Sequence, residues 1–131
     1  MAAAESYPED LRYHPEHDWA RIDGDEAVLG ITWFAQDALG ELVHYEAPAT
    51  GDTIAKDQAY GEVESVKAVS DVISPLSGEV LEVNQRAVDE PEVINEEPYG
   101  EGWLIRIRMS DPGEVDVLLE ADAYRAHVAA Q

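Results

Sequence analysis

The chain has 131 residues, of which 45% are hydrophobic, and carries 29 Asp and Glu against 8 Lys and Arg, for a formal net charge of −21. That length and apolar fraction fit one domain with its own core, while the charge argues against phosphate backbones and anionic membranes as partners and fits equally plain solubility, adaptation to salt, or docking to proteins with basic patches. There is no cysteine, so disulfides, thiolate nucleophiles and thiolate metal sites are excluded, and any sulfur redox chemistry has to come from a cofactor.

Residues 1–10 hold no basic residue and no apolar h-region, so they read as neither a signal peptide nor a transit peptide; the expected address is the cytoplasm of a prokaryote. This stretch is expected to be a disordered N-terminus, with 11–131 forming a single domain. Trp19–Ile22 reads as the first clear strand, Asp23-Gly24-Asp25 as a turn, and Glu26–Gly30 as the returning strand. Thr32 is placed to cap a short helix over Trp33–Leu39, which Gly40 stops. Glu41–Glu46 alternates as a strand, Pro48–Asp52 is a turn, and Thr53–Asp57 is a short run ending in a turn at Lys56-Asp57. Ala59–Glu64 and Val69–Ile73 read as the two arms of a hairpin, followed by a Pro75–Gly78 turn and a strand over Glu79–Val83.

From Asn84 to Gly102 the chain reads as loop, with one helical turn near Glu92–Asn95. Trp103–Arg108 is the last strand. Asp111-Pro112 then opens a C-terminal helical segment over 112–129, expected to be dispensable for modification of the hairpin. Many short strands with regular turn signals indicate an all-β barrel or sandwich with short helices. Pro48-Ala-Thr-Gly51-Asp-Thr-Ile54 resembles Pro75-Leu-Ser-Gly78-Glu-Val-Leu81, which would imply two similar half-sheets related by a pseudo-two-fold axis.

Lys67 stands at the tip of the hairpin, within Glu64-Ser65-Val66-Lys67-Ala68, with no other base nearby. A tip lifts a side chain clear of the sheet and holds it on a rigid scaffold, which is what a modifying enzyme needs of an amine. By position alone an ordinary surface lysine in a turn is the better reading.

The surrounding residues separate these readings. Glu62–Ala68, Ser70-Asp71, Ser74-Pro75, Ser77–Val80 and Glu82–Asn84 resemble the lipoyl-attachment region of the glycine cleavage system H-protein family. So do Glu16-His17-Asp18-Trp19, Gly30-Ile31-Thr32 with Ala35–Gly40, and Asn95–Trp103 with its Asn-x-x-Pro-Tyr-x-x-Gly-Trp pattern. The resemblance spans roughly Leu11 to Tyr124. It implies a barrel-sandwich hybrid of the lipoyl/biotinyl type: two antiparallel sheets, a lysine on a β-hairpin tip and a C-terminal helix. It implies lipoic acid in amide linkage to Lys67, with Glu64, Ser65, Val66 and Ala68 as the recognition surround. The implied partners are glycine decarboxylase (P protein), aminomethyltransferase (T protein), dihydrolipoamide dehydrogenase (L protein) and the lipoyl-attaching enzymes. The implied role is a non-catalytic carrier of the aminomethyl group of glycine. A relay passing lipoate to other lipoyl-dependent complexes would use the same lysine.

By motif, Asp18 and Asp71 are the acids expected to receive the cationic end of the loaded arm. The chain departs from the family's pattern at Trp33, where relatives often have an acid, and at Ala38, where some have a histidine; Trp33 is a candidate docking or arm-covering residue. The other constellations are weaker. His14 and His17 have a metal-like spacing but lie in a non-helical, proline-containing stretch, and no metal site is expected. Asp23-Gly-Asp25-Glu26 lacks the twelve-residue calcium-loop pattern. Tyr99–Trp103 is not a phosphate loop, because an acid sits between its glycines. A hydrolase using acids near Asp18 and Asp71 is the competing enzyme class, but no spacing supports a reacting pair.

Overall fold

The computed structural model describes residues 3–131, and among these residues the strands form two antiparallel sheets. The larger has the order β1 (Arg12–His14), β2 (Asp18–Asp23), β3 (Glu26–Ile31), β9 (Ile105–Met109), β8 (Gly78–Val83), β5 (Thr53–Ile54). The smaller runs β4 (Leu42–Glu46), β6 (Ala59–Ser65), β7 (Val69–Ile73). This is the expected barrel-sandwich arrangement, with the principal core between the two sheets, built on Leu29, Leu42, Tyr45, Val63, Leu76, Ile105 and Ile107.

Local chemistry explains the first helix, α1 (Trp33–Leu39). Thr32 Oγ1 accepts from the Ala35 N–H at 3.3 Å, and Gly40 takes φ 84° to end the helix, as the sequence predicts. The Lys56-Asp57 turn also forms, with Asp57 at φ 71°, a conformation aspartate tolerates. Its carboxylate is held by His14 Nε2 at 2.7 Å and Lys56 Nζ at 3.1 Å, and these two neighbours keep its pKa below the usual carboxylate value.

Several expectations are corrected. Residues 3–10 are not a disordered tail: Tyr7 is buried, Tyr13 Oη donates to the Pro8 carbonyl, and Arg125 donates to the carbonyl of Tyr7. Met1 and Ala2 lie outside the described residues. The short strand β1 was hidden because its pairing with β2, Arg12 opposite Ala20 and His14 opposite Asp18, is a tertiary event. The stretch read as loop after Asn84 holds an unexpected helix, α2 (Gln85–Asp89), ahead of α3 (Glu92–Glu96), where one helical turn was expected. Neither has a side-chain cap; burial of Ala87, Val93 and Ile94 holds them instead.

The C-terminal segment is not continuously helical. Pro112–Val117 is a 3-10 helix, opened by Asp111 Oδ1 accepting from the Gly113 N–H. The chain then extends so that Leu119 and Tyr13 exchange two backbone hydrogen bonds of 2.8 Å, before α4 (Ala121–Ala129) begins. The internal repeat does bring its two copies together: Gly51 N–H donates to the Val80 carbonyl, Val80 N–H to the Asp52 carbonyl, and β5 pairs with β8. The relation stays local, because the sheets have six and three strands and are not similar halves.

A second buried cluster joins Tyr7, Leu11, Tyr13, Trp19, Ala121 and Tyr124. Tyr124 stacks on Tyr13 with ring centroids 4.6 Å apart, and its hydroxyl bonds both Thr32 Oγ1 and His17 Nδ1 at 2.8 Å. Through Thr32 this cluster reaches the start of α1.

Candidate functional site

The site is built on the β6–β7 hairpin, whose register pairs Glu64 with Val69 and leaves Ser65, Val66, Lys67 and Ala68 as the tip. Ser65 fixes that tip. Its backbone N–H donates to the Ala68 carbonyl at 2.8 Å, and its buried Oγ accepts from the N–H groups of Lys67 at 3.2 Å and Ala68 at 3.1 Å. One serine therefore satisfies donors that a four-residue tip would otherwise leave open, and the backbone under Lys67 is held.

Lys67 is exposed, and among the described residues its ammonium makes no ion pair or hydrogen bond. The chain's other lysine, Lys56, is tied to Asp57. The stem of Lys67 runs past the end of α1: a Cβ built on Gly40 would lie 3.5 Å from Lys67 Cε. Asn95 positions that end of α1. Its Nδ2 donates to the Gly40 carbonyl at 2.9 Å and to Gln36 Oε1 at 3.0 Å, while its Oδ1 accepts from the Leu42 N–H at 2.9 Å. One side chain from α3 thus joins α1 to β4 beside the lysine.

The rest of the Asn95–Trp103 motif is also structural. The Pro98 carbonyl accepts from the Trp19 indole at 2.9 Å, and Tyr99 Oη accepts from the Trp33 N–H at 2.9 Å. Beyond Gly40 lies a cavity of about 360 Å³ between α1 and α3, lined by Gln36, Asp37, Glu41, Glu92 and Asn95.

Asp18 and Asp71 have different surroundings. Asp71 is exposed on β7, opposite Glu62. Asp18 is only 2% exposed, and its Oδ2 has no hydrogen-bond partner. Burial drives its pKa well above the ordinary carboxylate value, the nearby charge of Glu16 adds to the rise, and the backbone N–H of Ile73 offsets part of it. Ile73 lies two residues along β7 from Asp71, so the strand links the two acids. The hydroxyls of Tyr45 and Tyr60 are likewise buried and unpartnered, and the pKa of Tyr60 is raised by burial, then by Tyr45 and Asp18. Three unsatisfied polar groups therefore lie close enough to interact beneath the hairpin. Nothing in the local sequence marks this group, because its members come from β2, β4 and β6.

Trp33, the candidate docking or arm-covering residue, opens α1 and is half-buried. Its indole N–H donates to the Ala3 carbonyl at 2.7 Å, so the N-terminal segment lies over it. Ala38 is exposed on α1. His14 is engaged apart from His17 and His127, whose rings lie 5.6 Å apart beside Tyr124. His14 uses Nε2 for Asp57 and Nδ1 for the Glu16 N–H, and His127 Nε2 meets the Pro15 carbonyl. Among the described residues no group of three or more His, Cys, Asp and Glu is placed to hold a metal.

Comparison with known proteins bears on the same residues. A family model described as Glycine cleavage H-protein matches residues 11–131. The chain is 52% identical over 124 residues to the glycine cleavage system H protein of Anaeromyxobacter sp. strain K, covering 95% of this chain and 97% of that one. It is 50% identical over 121 residues to a probable glycine cleavage system H protein of Haloarcula marismortui, covering 92% and 95% respectively. Among solved structures it is similar to a glycine cleavage system H protein from Mycobacterium marinum, with TM-score 0.87 and 40% identity, over 94% of this chain and 99% of that one.

Proposed function

The chain belongs to the glycine cleavage H-protein family, and we propose that within it this chain is a lipoylated carrier, with lipoic acid in amide linkage on Lys67. The single observation that supports this most is the state of that amine: exposed, without an ionic partner, and mounted on a tip that Ser65 holds fixed. Bound there, lipoate supplies the dithiolane chemistry that this cysteine-free chain lacks. The protein's own residues supply placement. Lys67 provides the attachment amine, Ser65 orients the tip, and Glu64, Val66 and Ala68 form the surface met by the attaching enzyme.

The role is to take the aminomethyl group of glycine from a glycine decarboxylase, the P protein, to an aminomethyltransferase, the T protein. A dihydrolipoamide dehydrogenase, the L protein, restores the disulfide. The chain itself is non-catalytic in this reading, and works in the cytoplasm of a prokaryote. Among the described residues no helix is long and apolar enough to cross a membrane.

Asp71 and Asp18 are proposed to receive the cationic end of the loaded arm. Asp71 is the acid open to solvent, and Asp18 holds an unpartnered oxygen that an entering ammonium would satisfy. Replacing either with Asn is expected to speed loss of the aminomethyl group to water, read by the decay of loaded protein. Unchanged decay in both variants would remove this part of the reading.

The attachment itself is tested by intact mass of protein made in cells with active glycine cleavage. Wild type is expected to carry one lipoyl increment and Lys67→Arg none, since arginine keeps the charge but offers no amine to acylate. An increment that persists in the variant would place attachment on Lys56 or the terminus and defeat the proposal.

A further inference from the structure

Four large hydrophobic residues stand out of the described surface: Val43 at 50% exposure, Val66 at 81%, Val69 at 58% and Val117 at 70%. Scattered exposed valines need no explanation, but a cluster rimmed by charge marks a contact surface. Three of these four gather around Lys67. Val66 is its neighbour on the tip. Val69 faces outward opposite Glu64 across the hairpin. Val43 comes from the third strand, at a register shift between the pairs Leu42–Ser65 and His44–Glu64. There Val43 and His44 are both exposed while Leu42 and Tyr45 are buried, the pattern of a bulge that turns two consecutive residues outward. Because the strand order is β4-β6-β7, the valines come from the tip and both edges of the same end of the sheet.

The rim is acidic. These three strands carry Glu46, Glu62, Glu64 and Asp71 and no Lys or Arg, so Lys67 is the cation in a negative field. The geometry points to an apolar collar of Val43, Val66 and Val69 that seats the hairpin in the enzyme that acylates Lys67, a partner with an apolar contact ringed by Arg and Lys. This rests on the reading of Lys67 as the lipoylated residue, and extends recognition to β4 and β7. The acylating enzyme is the partner that fits, because it must bring its acyl group to the amine itself, one side chain from the collar. Enzymes that act on the far end of an extended arm do not need that contact. The valines supply the buried centre of the interface, and the acids supply steering and salt dependence.

The test uses the full chain, a purified lipoate–protein ligase, lipoate and ATP, with acylation of Lys67 followed by intact mass. Val43→Asp and Val69→Asp are expected to lower kcat/KM about tenfold each, mainly through KM. Val117→Asp, the control away from the collar, is expected to stay within about twofold. Val43→Thr and Val69→Thr keep the β-branched shape that strands favour; they replace any Asp variant whose thermal unfolding shows loss of fold, with an expected loss of about threefold. If wild type is acylated and the Val43 and Val69 variants match it, or if Val117→Asp falls as far as they do, the collar is wrong. If wild type is not acylated at all, the reading of Lys67 fails instead.

Discussion

Asp18 sits where an ionised carboxylate is costly, enclosed between the sheets with one oxygen unpartnered. Its folded pKa is raised, so the folded protein keeps this proton at pH values where the unfolded chain has released it. Stability from this group is therefore fully present below about 3.8, the unfolded value, and is lost as pH rises through the raised folded value. Asp18→Asn removes that loss. The variant is expected to unfold at a higher denaturant midpoint than wild type, with a gain that is small near pH 4 and largest at pH 7–8. A difference that does not change with pH would contradict the assignment. Lys67 was singled out by the company it keeps in sequence, whereas the burial of Asp18 was not legible there. The His-acid-Trp motif marks the residue, but only the packing of β2 against β7 decides that its carboxyl faces inward and meets Ile73 rather than solvent.

At the scale of elements, the hairpin owes its fixed tip to Ser65. Ser65→Ala leaves the N–H groups of Lys67 and Ala68 without their acceptor, and is expected to cost about 1 kcal/mol and to slow acylation of Lys67 without removing the site. Thermal unfolding and the ligase assay measure the two effects. Gly78 is held more tightly, since a Cβ there would stand 2.2 Å from the Arg108 carbonyl on β9. Gly78→Ala is expected to destabilise by about 3 kcal/mol or more, because backbone must move at the start of β8, where Gly78 pairs with both Met109 of β9 and Ile54 of β5.

Helix α4 carries a pH dependence of the opposite sign to Asp18. The His17 pKa is lowered by burial and then by His127, so the neutral ring that bonds Tyr124 is the folded form. Stability from His17 is complete above about 6.5 and declines as pH falls towards its depressed value. Amide protection in α4, corrected for the intrinsic pH dependence of exchange, is expected to fall between pH 7.5 and 5.5 more than protection in β3 or β9; an equal change in both would argue against it. Elements with local signals were legible, α1 through Thr32 and Gly40, and the hairpins through alternation. Elements β1, α2 and the extended Leu118–Leu119 step were not, since each exists only through contacts with residues far along the chain.

Over the whole molecule, the sheets form a mount with Lys67 at its end, the one lysine without an ion pair among the described residues. The second core closes the opposite requirement, stability, by fastening both termini: residues 3–10 and α4 meet over Tyr13 and Trp19. Tyr124→Ala is expected to cost about 3–5 kcal/mol, and a chain cut before Leu119 to unfold at lower temperature, because both strip the face of Tyr13. The C-terminal segment is thus a part of the fold. The net charge of −21 read equally as plain solubility or as a docking bias, and the strands of the sheet that carries Lys67 hold Glu46, Glu62, Glu64 and Asp71 and no Lys or Arg.

The central claim is that Lys67 carries the arm on which glycine's aminomethyl group travels. It is tested most directly by exchange of the carboxyl carbon of glycine with labelled bicarbonate, using a glycine decarboxylase and this chain after lipoylation. The account predicts rapid exchange with the lipoylated wild type, falling to the level of the decarboxylase alone with Lys67→Arg. Equal exchange with the variant, or none with fully lipoylated wild type, would contradict it.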